Sequence, residues 1–261
     1  MHPILIELGK LKIYSYGFML ALSFFFGIIL AGYRARRKGV APELIYDLSI
    51  IIVISAIVGS RGLYILTHLN HYDGIIDIIA LWQGGATYYG GMILAVVGSA
   101  VYLRIKKTSF LKVADICSPS IALGVILTRI GCFLSGCCFG NPTSCPTGMV
   151  FPDEAPAGFT FPGVSVHPTQ LYSSAYGLII FALLLFIDRK EHPDGYLFGF
   201  LCIFYGISRF LVDFVRYYEE SAIVAGGLTD NQLISIGLLL LGVFLIGYSS
   251  VREKRLKQGL P

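Results

Sequence analysis

Three arginines stand where arginine is costly. Arg61, Arg129 and Arg209 each interrupt a long apolar run, and Asp213 follows Arg209 by one helical turn. An Arg at the bilayer centre costs about 2.5–3.5 kcal/mol on insertion scales, and such residues tend to mark ligand or ion sites. A guanidinium fork matches the oxygens of phosphate, and phosphate at membrane depth belongs to lipid headgroups. The expected chemistry is recognition of an anionic lipid head drawn into a polar cavity. Simpler readings stand beside it. Arg209 and Asp213, at i and i+4, can neutralise one another. Arg61 can extend its charge to the headgroup layer. Glycines cluster near these residues at Gly84, Gly85, Gly90, Gly91, Gly131, Gly136 and Gly140. They serve either close helix packing or close approach of backbone to a ligand.

A second group is sulfur-based. Cys132, Cys137, Cys138 and Cys145 follow the spacing C-x4-C-C-x6-C. Three readings stay open: a disulfide to Cys145 that braces a loop, inert buried thiols, or a metal site, although the spacing fits no strong zinc pattern. Cys117 and Cys202 lie within apolar runs and read as small packing residues. No cofactor is expected, and no residue is assigned as a metal ligand.

The elements that must position these groups are membrane helices. Of 261 residues, 55% are hydrophobic and 14% charged, and mean hydropathy is +0.73. A water-soluble globule cannot hide that much apolar surface, and disorder needs the opposite composition. No repeat period is present, and no cleavable signal peptide is expected. Seven apolar runs can be marked: Tyr14–Tyr33, Leu44–Leu66, Tyr88–Leu103, Val113–Leu134, Thr169–Ile187, Tyr196–Val215 and Gln232–Ser250. The fold class expected is an all-α membrane protein, seven transmembrane helices with a small extracytoplasmic head, forming a single polytopic domain over 1–261.

Charge supplies the orientation. The connections after runs one, three, five and seven hold Arg34, Arg36, Arg37, Lys38, Arg104, Lys106, Lys107, Lys112, Arg189, Lys190, Arg252, Lys254, Arg255 and Lys257, which is 14 of the 20 basic residues. The other side has Lys10, Lys12 and Arg216. Basic residues stay cytoplasmic, so the N-terminus is expected outside and the C-terminus inside. The segment 135–168 is rich in Pro, has no Lys or Arg, and reads as an outer loop. Its Phe151, Phe159 and Phe161 are expected to pack it as a cap. Nucleic-acid binding is excluded, since no reader motif accompanies the short basic loops.

In order along this topology come Tyr16-Gly17, Gly59-Ser60-Arg61, Trp82-Gln83-Gly84-Gly85, Tyr89-Gly90-Gly91, Arg129-Ile130-Gly131-Cys132-Phe133, and His167-Pro168-Thr169-Gln170-Leu171-Tyr172. Tyr205-Gly206-x-x-Arg209-Phe210-x-x-Asp213-Phe214-x-Arg216 and Gly227-Leu228-Thr229 with Gln232 and Ser235 follow. Together they make the chain resemble the prolipoprotein diacylglyceryl transferase family over essentially its whole length. The resemblance implies transfer of a diacylglyceryl group from phosphatidylglycerol to the lipobox cysteine thiol of a prolipoprotein in the bacterial inner membrane. The partners implied are phosphatidylglycerol, a signal peptide with its lipobox cysteine, and the lipid bilayer.

The sequence departs from the family pattern at four polar positions. Cys132 stands for an Asn, Cys137 for a Glu, Tyr89 for a His and Ser173 for a Glu, while Asp213 replaces a Glu and both Arg129 and Arg209 are kept. The expected roles follow. Arg129 and Arg209 bind the phosphate and its developing charge, and their field lowers the acceptor thiol's pKa from about 8.5. A phenol with a pKa of about 10 is a poor base, so Tyr89 is expected as a hydrogen-bond donor. Tyr16 reads as a substrate contact or an interface aromatic, and His167 as a mouth residue or a helix cap. Gln170 and Tyr172 read as cavity wall or as partners for buried backbone, while Cys132, Cys137, Arg61, Tyr205 and Asp213 complete the substrate-binding set. Other readings are a related transferase with another acceptor, a membrane thiol oxidoreductase, and a lipid-binding protein without catalysis.

Overall fold

Backbone in hydrocarbon has no water to bond, so each apolar run must satisfy its own amides, and an α-helix does this within one segment. The computed structural model describes residues 2–8, 11–68, 85, 87–218 and 227–257. Lys10 and Trp82-Gln83-Gly84 lie outside the described residues. All seven runs form helices: α1 (Ser15–Arg37), α2 (Pro42–Thr67), α3 (Tyr88–Ile105), α4 (Phe110–Ser135), α6 (Thr169–Ile187), α7 (Tyr196–Asp213) and α8 (Asp230–Lys257). Among the described residues, six of them are long and apolar enough to cross a bilayer. The exception is α3, whose apolar stretch, Tyr89–Ile105, is shorter. The N-terminal stretch, polar and mixed in the sequence, forms a hairpin of β1 (Ile4–Leu8) and β2 (Leu11–Tyr14). Lys12 pairs with Glu7 at 2.8 Å across it, and the Ser15 amide donates to the Pro3 carbonyl where α1 begins.

The chain packs as two compact units, Met1–Leu30 with Ala114–Pro261, and Ala31–Val113. In the second unit α2 lies against α3 through glycine. A Cβ on Gly59 or on Gly90 would collide with the other's backbone carbonyl, and one on Gly91 would meet the Ala56 carbonyl at 2.9 Å. Small residues let membrane helices approach this closely. The Gly90-Gly91 pair therefore packs helices.

In the first unit α7 lies on α8 through a spaced set of small residues. A Cβ on Gly199 would come 3.0 Å from the Gly242 carbonyl, and one on Gly206 would come 2.8 Å from the Ser235 carbonyl. Tyr176, Ile180 and Leu184 of α6, Leu197 and Leu201 of α7, and Ala122 of α4 form the buried apolar cluster. The start of α7 is fixed by an acid from α4. Asp115 accepts the Gly195 and Phe198 amides, each at 2.7 Å, satisfying donors that a helix N-terminus leaves unpaired. Gly195 sits at φ 93°, a conformation that glycine adopts without steric cost.

Between α4 and α6 the chain forms β3 (Met149–Val150), a single helical turn α5 (Pro156–Thr160) and β4 (Ser165–Val166), with β3 and β4 antiparallel. Phe139, Phe151, Ala157 and Val166 are buried together, with Phe161 packed on them. Tyr217 stacks on the Phe139 ring at 5.6 Å. Phe151 and Phe161 pack as expected, but Phe159 does not: it is 81% exposed. The cause is local, because α5 buries Ala157 and Gly158, and a Cβ on Gly158 would collide with the Pro152 carbonyl. That tight face turns Phe159 outward.

Candidate active site

The cysteine turn is built by the end of α4. The Gly136 amide donates to Phe133 and the Cys137 amide to Cys132, both at 3.1 Å, with Gly136 at φ 69°. This is the Schellman termination, which sets the residue after the glycine beside the one five positions earlier. Those two residues are Cys137 and Cys132. Cys138 then adopts φ 62°, rare for a side chain larger than hydrogen. The result brings the Sγ atoms of Cys132, Cys137 and Cys138 within 4.8 Å of one another. All six cysteines are free thiols, and Cys145 is exposed and is not in that group.

Two side chains of α6 pin the turn. Thr169 Oγ1 donates to the Cys138 carbonyl and Gln170 Nε2 to the Cys137 carbonyl, both at 2.7 Å. The strand-like segment beyond it bonds to the tail of α7: Asn141 N to Val215 O at 2.9 Å and Tyr217 N to Phe139 O at 3.2 Å. A Cβ on Gly140 would collide with the Val215 carbonyl, so this glycine serves backbone approach within the fold. Hydrogen bonds from Cys132 and Cys137 draw the Cys138 thiol down towards thiolate, with Arg216 and Arg129 adding to the effect. Gln170→Ala would leave the Cys137 carbonyl without its donor, at a cost of about 1–3 kcal/mol for an unsatisfied buried group. Timed alkylation read by mass spectrometry is expected to show faster labelling of Cys137 in that variant. An unchanged rate would mean that Gln170 does not hold the turn.

Arg209 and Asp213 do pair. Arg209 Nη1 lies 3.2 Å from Asp213 Oδ1, and Nη2 donates to the Tyr218 hydroxyl at 2.7 Å. Tyr218 donates in turn to Asp213 Oδ1, and Thr229 Oγ1 donates to Asp213 Oδ2. Burial, with that bond to Asp213, pushes the Tyr218 phenol up, so it stays a donor at neutral pH. Nη1 makes an ion pair without an aligned hydrogen bond, which leaves donor capacity on Arg209. Gln232 closes the network by accepting the Thr229 amide at 3.0 Å.

Arg129 is different. It lies one turn before Cys132, partly buried, and among the described residues no carboxylate pairs with it. Its guanidinium is within electrostatic reach of Tyr176, Tyr205, Cys132 and Cys138. Tyr176 in turn feels both Arg129 and Arg209 and meets the Tyr205 ring edge-on at 6.2 Å. The two tyrosines thus bring Arg129 and Arg209 into one polar neighbourhood. The Tyr176 hydroxyl and Gln170 Oε1 are buried without an aligned partner among the described residues. Tyr16, at the start of α1, lies within electrostatic reach of Arg129 and of all three clustered thiols. Gly131 allows this: a Cβ there would come 3.3 Å from the Tyr16 backbone.

His167 and Tyr172 form a separate relay. His167 Nδ1 lies 3.3 Å from the Tyr172 hydroxyl, which bonds Thr147 Oγ1 at 2.8 Å. Arg61 and Tyr89 belong to the second unit. There the buried Arg61 donates to the Gly85 carbonyl at 2.9 Å and lies over the Tyr64 ring, while Tyr89 is 44% exposed.

Sequence reasoning passed over Tyr176 and Tyr218, and it named Thr229, Arg216 and Cys138 without giving them a place in the transfer site. Tyr176 carried a signal, since it follows Tyr172 by one turn within an apolar run. The others act across turns that spacing does not reveal.

These elements define a polytopic helical membrane protein with a buried arginine–tyrosine centre beside a thiol cluster. The chain belongs to the prolipoprotein diacylglyceryl transferase family, whose sequence profile matches residues 3–248. It is 33% identical over 254 residues to the phosphatidylglycerol–prolipoprotein diacylglyceryl transferase of Clostridium tetani, covering 97% of this chain and 100% of that one. It is 34% identical to the protein of the same name from Bordetella avium, over 97% and 96% of the two chains. With that from Geobacillus kaustophilus it shares 35% identity over 93% and 90%.

Proposed function

We propose that the chain moves the diacylglyceryl group of phosphatidylglycerol onto the lipobox cysteine thiol of a prolipoprotein, with Arg129 binding the phosphate. Family membership and similarity along full-length relatives support this activity. The observation that carries the site is the Arg129 guanidinium, with no carboxylate partner among the described residues and within reach of Tyr176, Tyr205 and the thiols. The thiolate attacks the glycerol carbon. A C–S bond forms as the C–O bond to phosphate breaks, the electron pair leaves on phosphate, and glycerol phosphate departs. A cation accelerates this step only by binding the growing phosphate charge more tightly than the starting diester.

Arg209 is the second cation, held in place by Asp213 and Tyr218 and offering its remaining donor capacity. Tyr205 lines the headgroup site, and Tyr16, Cys132, Cys137, His167, Gln170 and Tyr172 form its acceptor side. Arg61 and Tyr89 supply further donors to lipid. The body is one polytopic domain over 1–261 with seven spans, α3 being the short one. The alternation of basic loops supports an outward N-terminus, a cytoplasmic C-terminus and 135–168 as an outward cap in the bacterial inner membrane.

A cell depleted of its own transferase provides the test. Expression of this chain is expected to restore diacylglyceryl labelling of a reporter prolipoprotein, seen as a mobility shift and as added lipid mass. A correctly inserted chain that leaves the reporter unlipidated would overturn the assignment of acceptor.

A further inference from the structure

The three clustered thiols are more than the transfer reaction asks of the protein. Cys132 is buried and Cys137 and Cys138 are partly exposed, so the group is sheltered yet open on one side. A disulfide would use two sulfurs and strand the third, and Cys145 is not in the group. Three thiolates about one centre are what a thiophilic cation requires. Zn–S bonds are about 2.3 Å, so tetrahedral ligation needs Sγ separations of about 3.8 Å. The observed spacing, within 4.8 Å, exceeds that by at most about 1 Å, a rotation about χ1. The backbone is already committed to this arrangement. It carries two successive left-handed turns, at Gly136 and Cys138, and both cysteine carbonyls are held by α6. Arg129 and Arg216 lie within electrostatic reach, which offsets the negative charge that three thiolates around a divalent ion would leave.

We propose that Cys132, Cys137 and Cys138 bind Zn2+ as three thiolates, leaving the fourth coordination position to the acceptor thiol. Three protein ligands with an open fourth place are the arrangement of catalytic rather than structural zinc. The three cysteines release their protons when the ion binds. The acceptor thiol releases its proton on taking the fourth place and reacts from there as a bound thiolate. The product thioether is neutral, a weaker ligand, and leaves. The last step rests on the transferase reading, whereas metal binding does not.

Full-length protein purified anaerobically in detergent is expected to hold about one Zn2+ per chain by elemental analysis. Replacement by Co2+ is expected to give a thiolate-to-cobalt charge-transfer band. Disturbing groups around a metal's ligands alone costs about 10–100-fold in affinity. Cys132→Ser, Cys137→Ser and Cys138→Ser are therefore each expected to weaken binding by more than about 100-fold, while Cys145→Ser keeps it. Mercaptoethanol added to the Co2+ protein is expected to shift its visible bands. Wild-type protein that melts cooperatively but binds neither ion overturns the site, as does a disulfide within the trio in the anaerobic preparation. An unshifted spectrum overturns the open position. Lipidation by metal-free protein sinks the zinc role alone. A cobalt-loaded protein that lipidates nothing sinks the transferase reading alone.

Discussion

Arg129→Ala is expected to abolish diacylglyceryl transfer while the protein still inserts and folds. The side chain has no carboxylate partner among the described residues, so its loss leaves no buried charge unpaired there. What is lost, under the proposed function, is the cation facing the departing phosphate. Removing one preorganised donor from a site of developing charge costs about 100–1000-fold in rate. A full charge shielded from water costs more than a neutral donor, because charge-assisted bonds are about twice as strong. Arg129→Lys keeps the charge without the planar fork and is expected to fall between the two. The measurement is transfer to a lipobox peptide from phosphatidylglycerol in mixed micelles, with thermal melting in detergent as the folding control. Activity of the alanine variant within about tenfold of wild type, well short of the expected loss, would remove Arg129 from the reaction.

Asp213→Ala is expected to do the opposite, damaging stability first. Asp213 is 4% exposed and Arg209 6%, and the carboxylate also accepts from Tyr218 and Thr229. Removing one partner of a buried pair costs about 3–5 kcal/mol, because the other charge is left uncompensated. A large drop in melting temperature is expected, with activity lost as a consequence. Asp213→Asn keeps an acceptor oxygen and is expected to melt above the alanine variant. The double change Arg209→Met with Asp213→Leu is expected to recover much of the stability, since apolar replacement of a buried pair is often neutral, but none of the transfer. If Asp213→Ala melts like wild type, the network does not hold the end of α7.

The helices were legible because apolar runs of this length admit few alternatives in water or lipid. The Arg209–Asp213 pair was legible too, since i and i+4 share a face of any helix. Its meaning was not. Whether Arg209 was free for a ligand depended on Tyr218 and Thr229, which reach Asp213 from beyond α7 and obey no helical period. Arg129 stood out by the cost of its position, but its lack of an acidic partner among the described residues became visible only in three dimensions. The cysteines show a middle case. Their spacing matched no familiar metal pattern, yet Cys132-x4-Cys137 with Gly136 between them is a helix end written in sequence. Glycine at the position after a helix is a known stop, and it places those two thiols together. Cys138 joins them through a backbone conformation that residue type alone does not announce. The terminal hairpin was missed because nine residues of mixed polarity, Ile4–Leu8 and Leu11–Tyr14, carry too short a pattern to read.

The tie between Asp115 and Gly195 has a metrical consequence. Arg129 comes 14 residues after Asp115 (129 minus 115), and Arg209 comes 14 after Gly195 (209 minus 195). Helices α4 and α7 therefore act as two rulers that share a zero mark, with a cation at the same graduation on each, about 21 Å along at 1.5 Å per residue. One residue inserted into either ruler would offset its arginine by about 1.5 Å and swing it by about 100°. The pair of cations is thus calibrated from the far end of the helices, by an acid that holds the first backbone amides of α7.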